Sequence, residues 1–323
     1  MSDLVYVTTV WIAAALLDYA IGDPWTWLHP VQVMGWVIQW YSQAVLDAKW
    51  PAPIERLAGV GLLLLLVGGT MGIGWGIHHV AYGVHPAMAL AVDSILLASC
   101  LAARSLRDAA VDVLTPLSEG QLQSARDRLS RYVGRDTGQL SEADILRAVL
   151  ETVTENATDG VMAPLFFGLV GMATPFGGMP LALGYKAAST LDSMVGYKRA
   201  PYTNIGWCSA RVEDALTWIP CRLTVLTIGL LSGRLSHVIR CCRRDAVCDP
   251  SPNAGWSECA YAAALDVQLG GLNYYQGVAA PKPTLACDRR PITASIIQQA
   301  LQLTRHGVWL WIAMGIAGVA IAR

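Results

Sequence analysis

Charged side chains are scarce in this sequence. Lys, Arg, Asp and Glu make up 15% of the 323 residues, hydrophobic residues make up 54%, and the mean hydropathy is +0.41. An average soluble domain carries roughly 25% charged residues. The scarcity therefore excludes an ordinary soluble domain and indicates a chain that lies in a bilayer.

An excess of one charge sign is also missing, since the formal net charge is -1. Nucleic-acid binding needs a surplus of Lys and Arg against phosphate, so we expect no nucleic-acid partner. The eight cysteines include no C-x-x-C pair and no His at metal-ligand spacing, which predicts reduced thiols in or facing a cytoplasm. No basic segment or cleavage site accompanies the first apolar run, which predicts a retained membrane helix and not a signal peptide.

Long apolar runs are what the sequence has in place of charge. Four apolar runs are predicted membrane helices: residues 4–21, 57–80, 86–103 and 308–322. The first three approach or exceed the roughly 20 residues needed to cross a bilayer. The fourth is short but carries Trp309 and Trp311, aromatic residues typical of the membrane interface. Two further runs, 161–185 and 215–231, are interrupted by Pro, Gly or Arg, which is typical of helices broken around a polar cavity. The predicted fold is all-α, with about four to six membrane helices, some broken, plus cytoplasmic amphipathic helices.

Basic residues in the connections predict the orientation. Lys49 and Arg56 follow the first run, none lies in the connection at 78–85, and Arg104 and Arg107 follow the third run. Short cytoplasmic loops retain Lys and Arg, so the amino terminus is predicted outside and the polar middle in the cytoplasm. This pattern predicts a multi-pass membrane protein whose polar middle segment lies in the cytoplasm.

The simplest predicted organisation is one membrane-embedded unit, 1–323, with a mainly cytoplasmic helical insertion at 104–158. Apolar residues at three- and four-residue spacing predict helices from 104 to 155. Ser141 and Asp144 predict the start of one of these helices, which can run on through Val153. The turn-rich stretches 249–254 and 270–277 are predicted loops.

The densest polar group is predicted to hold a magnesium ion. Glu151 and Glu155 are neighbours at i,i+4 on a helix, and Asn156 and Asp159 lie within a turn of them. Mg²⁺ takes one or two carboxylates plus phosphate oxygens and waters, so the group suits a nucleotide complex. The structural alternative is a solvated helix end with scattered acidic residues.

A second group mixes cations with carboxylates beside apolar segments. Its members are Lys186, Asp192, Lys198, Arg211 and Asp214. Lys and Arg neutralise phosphoryl oxygens while Asp holds the metal, so the group predicts phosphate binding. The alternative is a basic flank of a membrane segment with local ion pairs. No G-x-x-x-x-G-K-[ST] motif occurs, so an ATP site here is not of the Walker type.

Two smaller groups are candidates for substrate binding. Asp23 and His29 lie in Asp-Pro and His-Pro pairs near the first run, and turns are the simpler interpretation of both. Arg244 and Asn253 lie in a basic and polar stretch that could hold an anion, or could form a plain cytoplasmic loop. Spacing alone predicts no more than a membrane enzyme or transporter with an anion site and a metal site.

At these residues the sequence resembles the adenosylcobinamide-phosphate synthase family of cobalamin biosynthesis. The blocks that carry the resemblance, in chain order, are LDYAIGDP, HPVQVMG, ETVTENATDGVMAPLFFGLVG, ALGYKAASTLDSMVGYK, GWCSARVEDALTWIPCRLT, RRDAVCDPSPNAGW and LGGLNYYQG. The resemblance implies an amide ligation of adenosylcobyric acid with (R)-1-amino-2-propanol phosphate, dependent on ATP and Mg²⁺ and proceeding through an acyl phosphate.

The resemblance also suggests roles for the polar groups. Glu151, Glu155 and Asp159 would hold Mg²⁺, with Asp192. Catalysis and nucleotide contacts would fall to Lys186, Asp192, Lys198, Arg211 and Asp214. The substrates would be bound by Asp23, His29, Arg244, Asn253 and Tyr274. Further partners would be the lipid bilayer and other late cobalamin-pathway membrane enzymes, and the rival hypotheses are a membrane sensor or a corrinoid carrier.

Overall fold

A computed structural model describes residues 3–22, 28–197, 199–287 and 289–321. The helices up to residue 156 are α1 (Asp3–Ala20), α2 (Pro30–Asp47), α3 (Ala52–Val84), α4 (Pro86–Ala98), α5 (Ala103–Ser118), α6 (Leu122–Leu129) and α7 (Glu142–Asn156). A π-helical segment (Ala157–Met162) continues α7. Then follow α8 (Ala163–Gly171), α9 (Gly178–Val195), α10 (Trp207–Leu231), α11 (Leu235–Asp245), a 3₁₀ turn (Ala246–Cys248), α12 (Ala254–Leu265), β1 (Leu269–Tyr275), β2 (Val278–Leu285) and α13 (Ala294–Ile321).

The chain divides into two compact units. The first unit contains Met1–Ala102, Ala163–Thr217 and Leu310–Arg323, and the second contains Ala103–Met162 and Trp218–Trp309. The predicted insertion at 104–158 thus belongs to the second unit, together with much later parts of the chain.

In the first unit, α9 is the central helix. It packs against α2, α3, α4 and α8, while α1 packs against α4. Small residues allow the close approach: a Cβ on Gly184 would lie 2.7 Å from Cγ of Met71 in α3. Ala187 and Ala188, one turn later, are fully buried. Without a hydrophobic driving force between helices in lipid, such small residues let van der Waals packing hold helices together.

In the second unit, α7 packs between α5, α6 and α12. It begins as predicted: the hydroxyl of Ser141 accepts the backbone N–H of Asp144 at 3.2 Å, and the Asp144 carboxylate accepts the Ser141 N–H at 3.4 Å. This reciprocal capping satisfies two backbone donors that a helix start leaves open. The helix runs to Asn156, beyond the predicted Val153, and then widens into the π-helical segment. Such segments are rare and are frequent at functional sites.

Four helical segments are long and apolar enough to cross a membrane: Ala52–Val84, Pro86–Ser118, Trp207–Leu231 and Ala294–Ile321. Two of them contain the predicted runs 57–80 and 86–103, a third contains the interrupted run 215–231, and the fourth covers the predicted run 308–322 as far as Ile321. The predicted run at 4–21 forms a shorter apolar helix, Leu4–Ala20. The helical membrane fold that the sequence predicts is confirmed.

The two interrupted runs differ in outcome. The run at 161–185 is broken as predicted, because turns at 172–177 separate α8 from α9. The predicted interruption of 215–231 is wrong, since α10 continues through Pro220. An interior Pro costs a helix roughly 3 kcal/mol. Van der Waals packing of the buried Cys221, Val225 and Ile228 on the following turns offsets that cost.

A second correction concerns 270–277, which was predicted as a loop. Residues 269–275 form β1, which pairs antiparallel with β2 in register Leu272↔Pro281 and Tyr275↔Val278. The two residues between them, Gln276 and Gly277, have φ of 53° and 78°, as a tight type I′ turn requires. Tertiary contacts overrode the loop signal of the glycines. By contrast, the predicted loop at 249–254 is irregular until Ala254, where α12 begins.

Candidate functional site

Glu151 is the anchor of a buried ion-pair network in the second unit. Its Oε2 pairs with the guanidinium of Arg135. Its Oε1 accepts a bond from Nη1 of Arg147 at 3.3 Å and another from the backbone N–H of Gly270 at 2.9 Å. The side chain is only 2% exposed. Both carboxylate oxygens are therefore engaged, and Glu151 ties α7 to the start of β1.

The same two arginines also bind the hairpin. The side-chain oxygen of Asn273 accepts from Arg135 at 2.9 Å and from Arg147 at 3.3 Å. Arg147 donates further to the carbonyl of Gly270 at 2.7 Å. The sequence analysis missed both arginines. The i,i+4 spacing of Arg147 and Glu151 was a usable signal, whereas Arg135 lies in a turn with no periodic pattern.

Next to this network lies a second, less well-paired group of charges. Glu258 of α12 is fully buried, and its Oε1 accepts from the ammonium of Lys282 on β2 at 2.6 Å. Its Oε2 is buried and has no hydrogen-bond partner. Burial raises the pKa of Glu258 to about 8; Lys282 opposes that shift, and nearby Glu155 and Glu151 add to it.

Glu155 belongs to the same group and is only partly exposed. Burial raises the pKa of its carboxyl; Lys282 opposes the shift, and Asp249 and Glu151 reinforce it. Burial alone would lower the pKa of Lys282, but the surrounding carboxylates, Glu258 first, outweigh burial and raise it. We call Glu155, Asp249, Glu258 and Lys282 the Glu258 cluster.

Hydroxyl groups connect the π-helical segment to α12. Thr158 Oγ1 and Ser257 Oγ lie 2.7 Å apart, and Ser257 donates to the carbonyl of Thr154 at 2.6 Å. Both hydroxyl side chains are buried. These bonds place Asp159, a predicted magnesium ligand, on a segment that is tied to the helix of Glu258.

The predicted substrate residues of the second unit occupy different surroundings. Asn253 is buried, and its side-chain oxygen accepts from Arg222 at 3.2 Å. The guanidinium of Arg222 also stacks over Trp256, 4.3 Å from the ring centre. Arg244 is exposed and forms a two-point ion pair with Asp245, which lowers the pKa of that carboxyl. Tyr274 is exposed on β1.

An open groove runs along the exposed face of α11. Its lining residues are Ser236, Ile239, Arg240, Arg243 and Arg244. Three arginines on one helix face make this surface suited to an anion, in keeping with the prediction for Arg244.

The first unit holds the other predicted group. Lys186 and Asp192 lie on α9 with intermediate exposure, and Arg211 stacks over Trp207 at 4.6 Å. Glu213, which the sequence analysis missed beside Asp214, is the more buried of the two acids. Its Oε1 accepts from Thr217 at 2.5 Å and from the hydroxyl of Tyr185 at 3.3 Å.

Four further residues were either predicted or overlooked. His29 caps α2, because its Nδ1 accepts the backbone N–H of Val31 at 3.3 Å. Asp93 accepts from Tyr6 at 2.8 Å and lies 2.9 Å from Nδ1 of His78, a buried polar group that the sequence analysis missed. Asp23 and Lys198 lie outside the described residues.

A family model described as "CobD/Cbib protein" matches residues 11–304. The chain belongs to the CobD/CbiB family. The "Cobalamin biosynthesis protein CobD" of a Synechocystis species is 50% identical over 299 residues, which cover 92% of this chain and 87% of that protein. The "Cobalamin biosynthesis protein CbiB" of Salmonella arizonae is 41% identical over 95% of this chain and 96% of its own. No solved structure matches the chain.

A third CobD/CbiB relative, "Cobalamin biosynthesis protein CobD" of Halalkalibacterium halodurans, is 39% identical over 92% of both chains. These matches confirm the resemblance that the sequence blocks carry. The matched residues include both ends of the Glu258 cluster, from Glu155 to Lys282, so the cluster lies within the part that the family model covers.

Proposed function

We propose that this CobD/CbiB-family protein is an adenosylcobinamide-phosphate synthase. It joins a carboxylate of adenosylcobyric acid to the amino group of (R)-1-amino-2-propanol phosphate. The observation that carries the proposal is the family match over residues 11–304. Relatives of nearly equal length are named for cobalamin biosynthesis, and the membrane helices and polar groups agree in kind with this task.

The proposed reaction needs ATP, because a carboxylate and an amine do not condense at neutral pH. The carboxylate oxygen attacks the γ-phosphorus of ATP, ADP leaves, and an acyl phosphate forms. The amino group, an ammonium ion at neutral pH, first gives one proton to water. The neutral amine then attacks the acyl carbon, phosphate leaves with the bonding electron pair, and the nitrogen gives a second proton to water. Catalysis of this kind rests on positioning and on neutralising the phosphoryl charge.

The described residues fit a Mg²⁺–nucleotide complex in kind. No group of three or more His, Cys, Asp or Glu side chains that could hold a metal ion occurs among them. Mg²⁺ bound to a nucleotide needs only one or two protein carboxylates, since phosphate oxygens and water complete its coordination. Asp159 of the second unit and Asp192 of the first unit are separate candidates for that role. Glu151 fits less well, because two arginines and a backbone N–H already engage its oxygens.

The cations are assigned to phosphate. We propose that Lys186, Lys198 and Arg211 neutralise the transferring phosphoryl group, and that Asp214 is a further contact of the nucleotide. Arg244, in the exposed groove of α11, is our candidate for the phosphate of the amino alcohol. Bound Mg²⁺ would screen the phosphate charge, and these side chains would orient the γ-phosphoryl group.

Aromatic side chains are proposed to contact the flat corrin. Trp218 and Tyr274 are exposed, at 51% and 46% of their surface, and Trp256 is held by Arg222. Asn253 and His29 are weaker candidates, because the first binds Arg222 and the second caps α2. The active site is proposed to face the cytoplasm of a bacterial inner membrane, where other late-pathway membrane enzymes would be its neighbours.

The first experiment is an assay of the purified protein in detergent with ATP, Mg²⁺, adenosylcobyric acid and aminopropanol phosphate. We expect ADP and a product with the mass of adenosylcobinamide phosphate to appear together. Asp159→Ala should abolish both, whereas Asp127→Ala, at an exposed position of α6, should leave both unchanged. Corrin binding without consumption of ATP would contradict the proposal and favour a carrier or sensor.

A further inference from the structure

The Glu258 cluster contains three carboxyl groups but one ammonium group. Arg135 and Arg147, the neighbouring guanidinium groups, are already matched by Glu151 and Asp144. That leaves the carboxyls of Glu155, Asp249 and Glu258 to face Lys282. Among the described residues, Lys282 is the cation that directly pairs with this group.

Such an excess is costly in a buried site. Glu258 is 0% exposed, and one of its oxygens has no donor. Asp249 also buries an oxygen, Oδ2, that has no hydrogen-bond partner. A buried carboxylate oxygen without a donor is unfavourable, so the carboxyl group either takes up a proton or gains a further cationic donor. The raised pKa values of Glu155 and Glu258 agree with a missing positive charge.

The cluster already accommodates a primary ammonium group. Lys282 Nζ lies 2.6 Å from Oε1 of Glu258, the short distance of a charge-assisted hydrogen bond. Oε2 of the same carboxylate is buried and has no hydrogen-bond partner, and Glu155 is the partly exposed acid of the cluster. A second primary ammonium, with three N–H donors and one positive charge, matches these acceptors.

We propose that the Glu258 cluster binds the cationic amino group of the amine substrate, with Glu155 and Oε2 of Glu258 as its hydrogen-bond acceptors. This inference rests on the proposed function and assigns one subsite of it. A divalent metal ion fits less well, because the ammonium of Lys282 would repel it at close range. The described residues also contain no group of three metal-ligating side chains.

The test is calorimetric binding to the full-length protein in detergent, without ATP and with a chelator. The two probes are 1-amino-2-propanol phosphate and isopropyl phosphate, which differ only in the amino group. Glu155→Gln and Glu258→Gln should each weaken binding of the amino probe by about tenfold or more, the usual cost of losing a hydrogen bond to a charged group. Neither variant should change binding of isopropyl phosphate.

Two further variants sharpen the result. Glu142→Gln, an exposed acid on α7, should affect neither probe. Lys282→Met removes the resident ammonium, so it should tighten binding of the amino probe several-fold and leave isopropyl phosphate unchanged. A general electrostatic or folding defect would change both probes together. If Glu258→Gln fails to fold, the half-buried Glu155 carries the test.

The outcomes separate this proposal from the proposed function. Equal losses for both probes, or no loss for either, overturn the assignment, as does amino-probe binding that vanishes whenever Mg²⁺ is removed. If the wild-type protein still forms the corrin amide product in those cases, the proposed function stands without this subsite. If the wild-type protein binds neither probe and forms no product, both proposals are wrong.

Discussion

Two buried glutamates of the second unit have opposite surroundings. Glu151 receives donors from two arginines and a backbone N–H. Glu258 receives one ammonium, and its second oxygen has no partner. The first arrangement is complete and serves to hold α7 to the hairpin. The second is incomplete, which is why we place a ligand there.

Removing one partner of the complete pair should destabilise the protein strongly. Arg135→Ala leaves Glu151 buried without its main counter-charge, and breaking such pairs typically costs about 3–5 kcal/mol. We expect a lower unfolding temperature in detergent. Asp127→Ala, which removes only an exposed hydrogen bond to Gln123, should change stability by no more than about 0.5 kcal/mol. Equal shifts for the two variants would show that the network is not a structural anchor.

The incomplete group predicts a pH dependence of stability. The pKa of Glu258 rises from 4.5 to about 8 on folding, so between those values the folded chain binds more protons than the unfolded chain. Stability from this group is present at low pH and is lost as the pH rises towards 8. Lys282, Glu151 and Glu155 face this carboxyl, and the pKa of Glu155 is also raised.

The variant Glu258→Gln should therefore flatten the fall in unfolding temperature between about pH 5 and pH 8, without removing it. Thermal unfolding at a series of pH values measures the slope. A variant as steep as the wild type would mean that Glu258 does not change its protonation in this range.

At the scale of elements, the hairpin depends on one backbone position. Gly270 has φ of +84°, and a Cβ there would lie 1.9 Å from the carbonyl oxygen of Pro283. Its N–H also donates to Glu151. At the other end of the hairpin, the carboxylate of Asp136 accepts the N–H groups of Gln276 at 3.0 Å and Gly277 at 2.7 Å. The hairpin is thus attached to the helical part at both ends.

Gly270→Ala should lower the free energy of unfolding by more than the about 1–3 kcal/mol that strained backbone alone costs, because the added Cβ also overlaps the carbonyl oxygen of Pro283. Amide hydrogen exchange should rise throughout β1 and β2. Gly138→Ala, where an added Cβ meets nothing within 4 Å, is the matched control. Unchanged exchange in the hairpin would argue against anchoring through Gly270.

At the scale of the whole molecule, the membrane helices and the basic connections predict one orientation. Cys248 is an exposed thiol near the carboxyl end of α11 and follows arginines that are predicted to lie in the cytoplasm. In a Cys208→Ser, Cys287→Ser background, an impermeant maleimide should label Cys248 in inverted vesicles and not in intact spheroplasts. Gly83→Cys, in the connection predicted outside, should show the reverse pattern after Cys248 is also replaced. Labelling of Cys248 from outside would overturn the predicted orientation.

Several features could be predicted because their signals are local. The apolar runs at 57–80 and 86–103 follow from composition alone, and the capping pair of Ser141 and Asp144 from a four-residue pattern. The continuous α10 could not be predicted, because local rules place a break at Pro220 and only the packing of the turns beyond it outweighs that break. The hairpin could not be predicted either, because its glycines indicate a loop. Only the tertiary contacts show that Glu151 accepts the N–H of Gly270 and that Asp136 accepts the N–H of Gln276.

The sequence by itself determined that this chain is a helical membrane protein of the CobD/CbiB family, because composition, periodicity and ordered blocks need no knowledge of distant contacts. Only the tertiary structure decided the partners of each charge. Glu151 and Arg135 are 16 positions apart, and Glu258 and Lys282 are 24 apart. A carboxylate's role depends on how many donors surround it once water is excluded, and spacing along the chain does not carry that information.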